Sequence, residues 1–236
     1  MLSKKKILVF TATYNEKDNI GKLLKLVLKN YPSLDILIVD DNSPDKTAEE
    51  VKLLKSEFSN IYLIERESKQ GLDTAHKLAY NYALEKNYDY FISMDADLSH
   101  DPGELKNFIS NLEIYPFVIG SRYIEGGKCL MKKRRLLMSK YGNILIKFIL
   151  KIDCNEFTTS YRGFNLKKLG KFNLDIVQAS GYSFFMKTIY EISKENIKIK
   201  EIPITFQDRS FGYSKLPKIE IFRTLASLII LFFKKF

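Results

Sequence analysis

Through residues 6–120, short apolar runs alternate with helix-patterned segments, and this alternation constrains the fold more than any other feature. KILVFTA (6–12), DILIVD (35–40), IYLIE (61–65), YDYFISM (88–94) and FVIG (117–120) read as strands. Between them, residues 18–30 set Ile20, Leu23, Leu24, Val27 and Leu28 at helical spacing. Residues 43–58 open on cap-like Ser43 and Asp45, 73–86 give a third helix, and DPGELKNFISNL (101–112) starts a fourth near Pro102. The pattern predicts an α/β fold with a mostly parallel sheet covered on both faces. Ligands of such sheets bind beyond the carboxyl ends of the strands, where strand order reverses. The polar clusters TYNE (13–16), DDNSPD (40–45) and DADLSHD (95–101) fall at those ends, so three loops are expected to build one site.

Charge divides the chain. Residues 1–118 carry 15 Lys and Arg against 19 Asp and Glu, whereas residues 119–236 carry 23 against 9. The basic half suggests an anionic partner: a phosphorylated ligand, a membrane surface or a nucleic acid. Two cysteines without a CxxC, and two histidines, exclude a structural zinc site and a disulfide framework and fit a reducing compartment. The amino-terminal lysines precede only four apolar residues, which reads as a first strand rather than a signal peptide. No window reaches the ~18 uninterrupted apolar residues expected of a spanning helix. The expected location is therefore the cytoplasm or, peripherally, the cytoplasmic face of a membrane.

Two later helices are more apolar. LLMSKYGNILIKFILKI (136–152) carries Lys140, Lys147 and Lys151 near one face, and KIEIFRTLASLIILFFKKF (218–236) is interrupted by Arg223 and closed by two lysines. Apolar bodies with basic margins suit a lipid interface or a small membrane subunit; ordinary core is the alternative. The expected division is a domain over 1–218 followed by an apolar helix over 219–236.

Asp95 and Asp97 are short carboxylates one residue apart after a strand. Such a pair can hold a hard divalent cation, Mg2+ or Mn2+, whose shell substrate phosphates complete. Asp41 and Glu16, after the second and first strands, are placed to accept hydrogen bonds from a nucleotide. There is no GxxxxGK[ST] and no GxGxxG, which argues against a P-loop nucleotidase and dinucleotide binding.

TYNE, VDDNSPDKT, GLDTAH, MDADLSHDP, GSRYIEGG, RLLMS, TTSYRGF, SGYSF and EIPITFQDRSFGYSKL occur in that order. In this order the chain resembles the family-2 glycosyltransferases, and within them the dolichol-phosphate (polyprenol-phosphate) mannose synthases, from about residue 7 to 225. The resemblance implies a GT-A, Rossmann-like fold with amphipathic helices towards the carboxyl terminus. It implies a nucleotide-sugar donor, GDP-mannose, and a polyprenyl (dolichyl) monophosphate acceptor at the membrane. It further implies nucleotide contacts at Ala12, Tyr14, Glu16, Asp41 and Ala96, and a metal held by Asp95, Asp97 and Ser99. Arg122, Arg209 and Lys215 would gather phosphates and sugar, Arg135 and Ser139 would bind the acceptor phosphate, and Arg162 would be a supporting cation. The chain departs from the family pattern at Ala12, Asp73, Ser99, Glu156, Thr159 and Lys187, the last bearing on donor-sugar identity.

An anionic acceptor needs no general base, so the chemistry asked of the residues is positioning and charge neutralisation, with inversion at the anomeric carbon. Three other readings stay open: a different donor such as UDP-glucose or UDP-N-acetylglucosamine, a non-catalytic nucleotide-sugar-binding subunit, and a nucleic-acid-binding module. The DxD loop and the lack of interleaved aromatic and basic residues weigh against the last.

Overall fold

The structure is a computed structural model that describes residues 5–208 and 219–235. The chain runs β1 (Ile7–Thr13), α1 (Lys17–Asn30), β2 (Asp35–Asp40), α2 (Thr47–Glu57), β3 (Ile61–Glu65), α3 (Leu72–Glu85), β4 (Tyr90–Ser93), α4 (Leu105–Leu112) and β5 (Phe117–Ser121). It continues with β6 (Lys128–Cys129), α5 (Lys133–Leu150), β7 (Arg162–Asn165), α6 (Tyr182–Lys194), β8 (Ile199–Pro203), β9 (Thr205–Phe206) and α7 (Ile219–Lys235). The main sheet has the order β3-β2-β1-β4-β7-β5-β8, and β6 pairs with β9 beside it. All five strands expected from the first half are present, and β1–β5 lie in one sheet.

Two features differ from the sequence reading. The helix expected from residue 43 begins at Thr47, because Ser43 and Asp45 are spent before it. Ser43 donates its backbone N–H and its hydroxyl to Asp40, and Asp45 accepts the Thr47 N–H at 3.0 Å. The second is β7, which periodicity did not reveal. It enters between β4 and β5 and pairs antiparallel with both, so four residues of an irregular stretch become a central strand.

Strand alternation divides the core between the two faces. On one face Leu8, Phe10, Leu37, Val39, Phe91 and Phe164 meet helices α3, α5, α6 and α7. On the other, Val9, Ile36, Ile38, Ile92 and Val118 meet α1, α2 and α4. Helix α7 packs on α5 and α6 and sinks Leu228 and Leu231 into the first core. Among the described residues, no helix is long and apolar enough to cross a membrane.

His76 lies inside the first core, ringed by Phe10, Phe184 and Phe185. Its Nδ1 stands 2.9 Å from the Leu72 carbonyl, while Nε2 has no hydrogen-bond partner. Burial lowers its pKa from 6.5 to about 4, so the folded protein keeps it neutral where an unfolded chain would protonate it. Stability from this site is complete above pH 6.5 and is lost as pH falls through about 4. The full loss is on the order of 3 kcal/mol. Urea denaturation at pH 7 and pH 4.5 should show the decline, and His76→Phe should flatten it; an equal slope in that variant would contradict the assignment.

Candidate active site

The carboxyl ends of β1, β2 and β4 bring the three polar loops to one edge, and the loop after β3 joins them. The Asp41 N–H donates to the Thr13 carbonyl at 3.0 Å, Asn15 N–H to Ser43 Oγ at 3.0 Å, and Lys17 N–H to Asp45 at 3.1 Å. Asp40 accepts the Thr13 hydroxyl at 2.7 Å. Much of the cluster DDNSPD therefore stitches two loops together. Asp41 is buried and pairs with Arg66, and it accepts the Gly71 N–H at 3.3 Å. Tyr14 lies beneath Lys69, whose Nζ is 3.9 Å from the ring centroid. Glu16, also buried, accepts from the Asn19 side chain at 2.8 Å. Arg66 and Lys69 belong to this rim but carried no motif that marked them in the sequence. Ala12 is partly buried against one core and Ala96 is buried in the other.

Below this rim opens a cleft of about 260 Å3. Asp95 and Asp97 line it, and so do Arg122, Arg135 and Ser139. The loop carrying the aspartates is held from several sides. Asp95 Oδ1 accepts the Ser160 hydroxyl at 2.5 Å, and its N–H donates to His100 Nδ1 at 3.0 Å. That bond leaves the ring proton on Nε2, 3.3 Å from Thr159 Oγ1. Burial lowers the His100 pKa, keeping the ring neutral and Nδ1 free to accept. Asp97 Oδ1 accepts the N–H of Ser99 at 3.0 Å and its hydroxyl at 2.5 Å, across Leu98 at φ 62°. A branched side chain in that left-handed region is held there by its surroundings.

Ser99, expected among the metal ligands, instead gives its hydroxyl to Asp97. It is fully buried and does not line the cleft, and its hydroxyl orients the Asp97 carboxylate. Among the described residues, no three His, Cys, Asp or Glu side chains gather as a metal cage. Two carboxylates facing one cleft fit a hard cation that keeps few protein ligands and takes phosphate and water oxygens for the rest.

The expected cations that lie among the described residues, Arg122, Arg162 and Arg135, take three different settings. Arg122 reaches the cleft wall but is buried and clasped by Glu156, Nε to Oε2 at 2.7 Å and Nη2 to Oε1 at 2.8 Å, with Thr158 Oγ1 at 2.9 Å. Burial works against its charge, yet the facing carboxylate raises its pKa overall; burial likewise lifts Glu156, and Arg122 with the Thr158 hydrogen bonds brings it net below its usual value. Arg122 is thus neutralised from within. Arg162 does not reach the cleft at all. Its guanidinium is fully buried and donates to the carbonyls of Thr159, Phe185 and Phe157 at 2.8, 2.8 and 3.0 Å. Burial lowers its pKa to about 9. The expected supporting cation is a structural tie, because the strand position of β7 turns its side chain into the core. Arg135 and Ser139, one turn apart on α5, both face the cleft with the aspartates. Arg135 is half-exposed with Asp208 3.9 Å away, and Ser139 accepts the Tyr123 hydroxyl at 2.7 Å. Arg209 and Lys215 lie outside the described residues.

A family model described as "Glycosyl transferase family 2" matches residues 8–206. The chain belongs to glycosyltransferase family 2. It is a glycosyltransferase of the α/β, GT-A-like type. Over 214 residues it is 34% identical to the polyprenol monophosphomannose synthase of Mycolicibacterium smegmatis, covering 89% of this chain and 80% of that one. Over 212 residues it is 31% identical to the undecaprenyl-phosphate mannosyltransferase of Micrococcus luteus, covering 89% and 87%. Its fold matches crystal structures of glucosyl-3-phosphoglycerate synthase from Mycobacterium tuberculosis. The form with Mn2+, UDP and glucosyl-3-phosphoglycerate has a TM-score of 0.70 at 13% identity, over 97% of this chain and 80% of that one. The form with Mg2+ and UDP likewise gives 0.70 at 13% identity, over 97% and 80%.

Breaking the Arg122–Glu156 pair from one side strands a buried charge. Glu156→Ala should destabilise the protein by about 3–5 kcal/mol. Replacing both partners, Arg122→Met with Glu156→Leu, should recover most of that loss in chemical denaturation. A single variant as stable as the parent would show that the pair is not buried in solution.

Proposed function

We propose that the protein transfers a mannosyl residue from GDP-mannose to a polyprenyl (dolichyl) monophosphate, with inversion, at a membrane surface. The observation that carries this reading is the pairing across one cleft of Asp95 and Asp97 with Arg135 and Ser139. An acidic pair suits a cation-bound diphosphate, and a guanidinium with a hydroxyl suits a second phosphate. The names of the two relatives, both mannosyl-transferring and both acting on polyprenyl carriers, support the same donor sugar and acceptor class.

The proposed roles divide between the polar rim and the cleft. Tyr14, Glu16, Asp41, Ala12 and Ala96 border the nucleotide. Asp95 and Asp97 hold Mg2+ or Mn2+, which when bound neutralises the donor diphosphate and eases its departure. Arg135 and Ser139 orient the acceptor phosphate, and Arg209 and Lys215 supply further positive charge. The acceptor oxygen attacks the anomeric carbon as the bond to the donor phosphate breaks. An α-linked donor then gives a β-linked product. A phosphate monoester is already anionic near neutral pH, so no histidine is needed as a base.

An apolar flank completes the reading. Helix α5 exposes Leu137, Met138, Tyr141, Ile144 and Phe148, and α7 exposes Ile229, Ile230 and Phe233. Patches of this kind on a monomer mark docking surfaces. Basic residues at 132–135 border it, which suits an anionic cytoplasmic leaflet or a small membrane subunit.

Turnover with a panel of GDP- and UDP-linked hexoses and a short polyprenyl phosphate tests the donor. GDP-mannose should be used best; preference for a UDP-linked sugar would overturn the donor assignment. Asp97→Ala should lower kcat/KM by a factor on the order of a thousand with the fold intact. Arg135→Ala should raise KM for the lipid phosphate about tenfold and that for the donor far less. The reverse split would misplace the acceptor.

A further inference from the structure

Two charged side chains that the mechanism does not use converge on one loop. Residues 177–181 connect the region after β7 to α6 without regular structure of their own, and Gly181 stands at φ 58°, ψ −137°. Glycine takes that conformation without steric cost, so the turn can form there, and side chains on two helices fasten it. Asp73, in the first turn of α3, accepts the Gly181 N–H through Oδ1 at 3.2 Å. Lys187, one turn into α6, donates from Nζ to the Gln178 carbonyl at 2.6 Å. A local bond from the Ser183 hydroxyl to the Ser180 carbonyl, 2.7 Å, closes the turn.

The fastened loop delivers a wall of the cleft. Tyr182, the first residue of α6 directly after it, lines the cleft with Leu72 from α3 and Phe185 from α6. The same α3 turn continues the nucleotide rim, since Gly71 donates its N–H to Asp41 and its carbonyl accepts from Arg66 at 3.1 Å. A donor lying from Asp41 towards Asp95 and Asp97 therefore passes Leu72, and the group beyond its diphosphate meets Tyr182.

Resting on the transferase reading above, we propose that Asp73 and Lys187 are positioning residues for donor-sugar selection. They act through the backbone of residues 178–181 and set where Tyr182 meets the sugar. Neither touches the acceptor pair on α5. Their effect therefore falls on the donor and on discrimination between hexoses, and it requires an acceptor atom at position 73 rather than a negative charge.

The test uses the full chain with Mg2+ or Mn2+, a polyprenyl phosphate and the hexose panel. Asp73→Ala and Lys187→Met should each raise donor KM about two- to tenfold, the range of one lost hydrogen bond. They should narrow the ratio of kcat/KM between the best and second-best hexose, and leave KM for the lipid phosphate within about twofold. Asp73→Asn, whose carboxamide oxygen accepts the same N–H, should restore parent values. Unchanged donor KM and hexose ratios in both disruptive variants would overturn the proposal. So would parallel changes in both substrates accompanied by a lower melting temperature, or an Asn variant as impaired as the Ala variant. If the unmodified protein turned over no donor in the panel, the transferase reading would fall and this proposal with it. That outcome is separable because it appears before any substitution is made.

Discussion

Ser160 joins two parts of the chain far apart in sequence. Its carbonyl accepts the Ser93 hydroxyl at 2.6 Å, and its own hydroxyl donates to Asp95 at 2.5 Å. The residues around it repeat the pattern: Thr159 lies beside His100 Nε2, and the Tyr161 hydroxyl donates to the Asp101 carbonyl at 3.1 Å. These contacts exist because β7 runs antiparallel between β4 and β5, which lays the segment before it along the acidic loop. An acidic pair on an unsupported loop would repel itself and wander. Here one of its carboxylates and its backbone are fixed by the protein alone, which is the preorganisation that the proposed cation site would need.

The same segment explains where the positive charge goes. Glu156 and Thr158 take up Arg122, and the carbonyls of Phe157 and Thr159 take up two edges of Arg162. Both guanidiniums are buried, and a buried charge left unpaired would cost several kcal/mol. Arg162 has no carboxylate against its guanidinium, and its lowered pKa registers that burial. Two of the cations in the basic half thus serve the scaffold. Arg135, half-exposed on α5, remains at the cleft in a setting where an incoming phosphate can compete with Asp208.

Much of the fold was legible in the sequence because strands β1 to β5 and the helices between them obey simple periods. Strand β7 was not, since RGFN has neither alternation nor length, and only its place between two apolar strands makes it one. At the site, spacing drew attention to Asp95 and Asp97 and the family resemblance to Arg135 and Ser139, whose four-residue separation puts both on one face of α5. The direction of Arg162 was not readable, because a single strand position decides between core and cleft. The direction of the Ser99 hydroxyl was not readable for a related reason. A serine two residues after an aspartate can turn its hydroxyl back onto that carboxylate, and a motif cannot distinguish this from ligation. Asp40 and Asp45, which flank Asp41 in the same polar cluster, both close turns.

Helix α5 unites the polar and apolar requirements of the proposed acceptor. Arg135 and Ser139 face the cleft together with Met138, while Leu137, Tyr141, Ile144 and Phe148 stay exposed along the same helix. A lipid phosphate has this division in its own structure: a doubly charged head on a long apolar tail. If the head lies against Arg135 and Ser139, the tail leaves over a surface that water solvates poorly, and α7 extends that surface with Ile229, Ile230 and Phe233. A small soluble phosphorylated acceptor would use the guanidinium but leave the apolar flank without a role. The cost of keeping so many large apolar side chains in water is the physical argument for an acceptor that covers them.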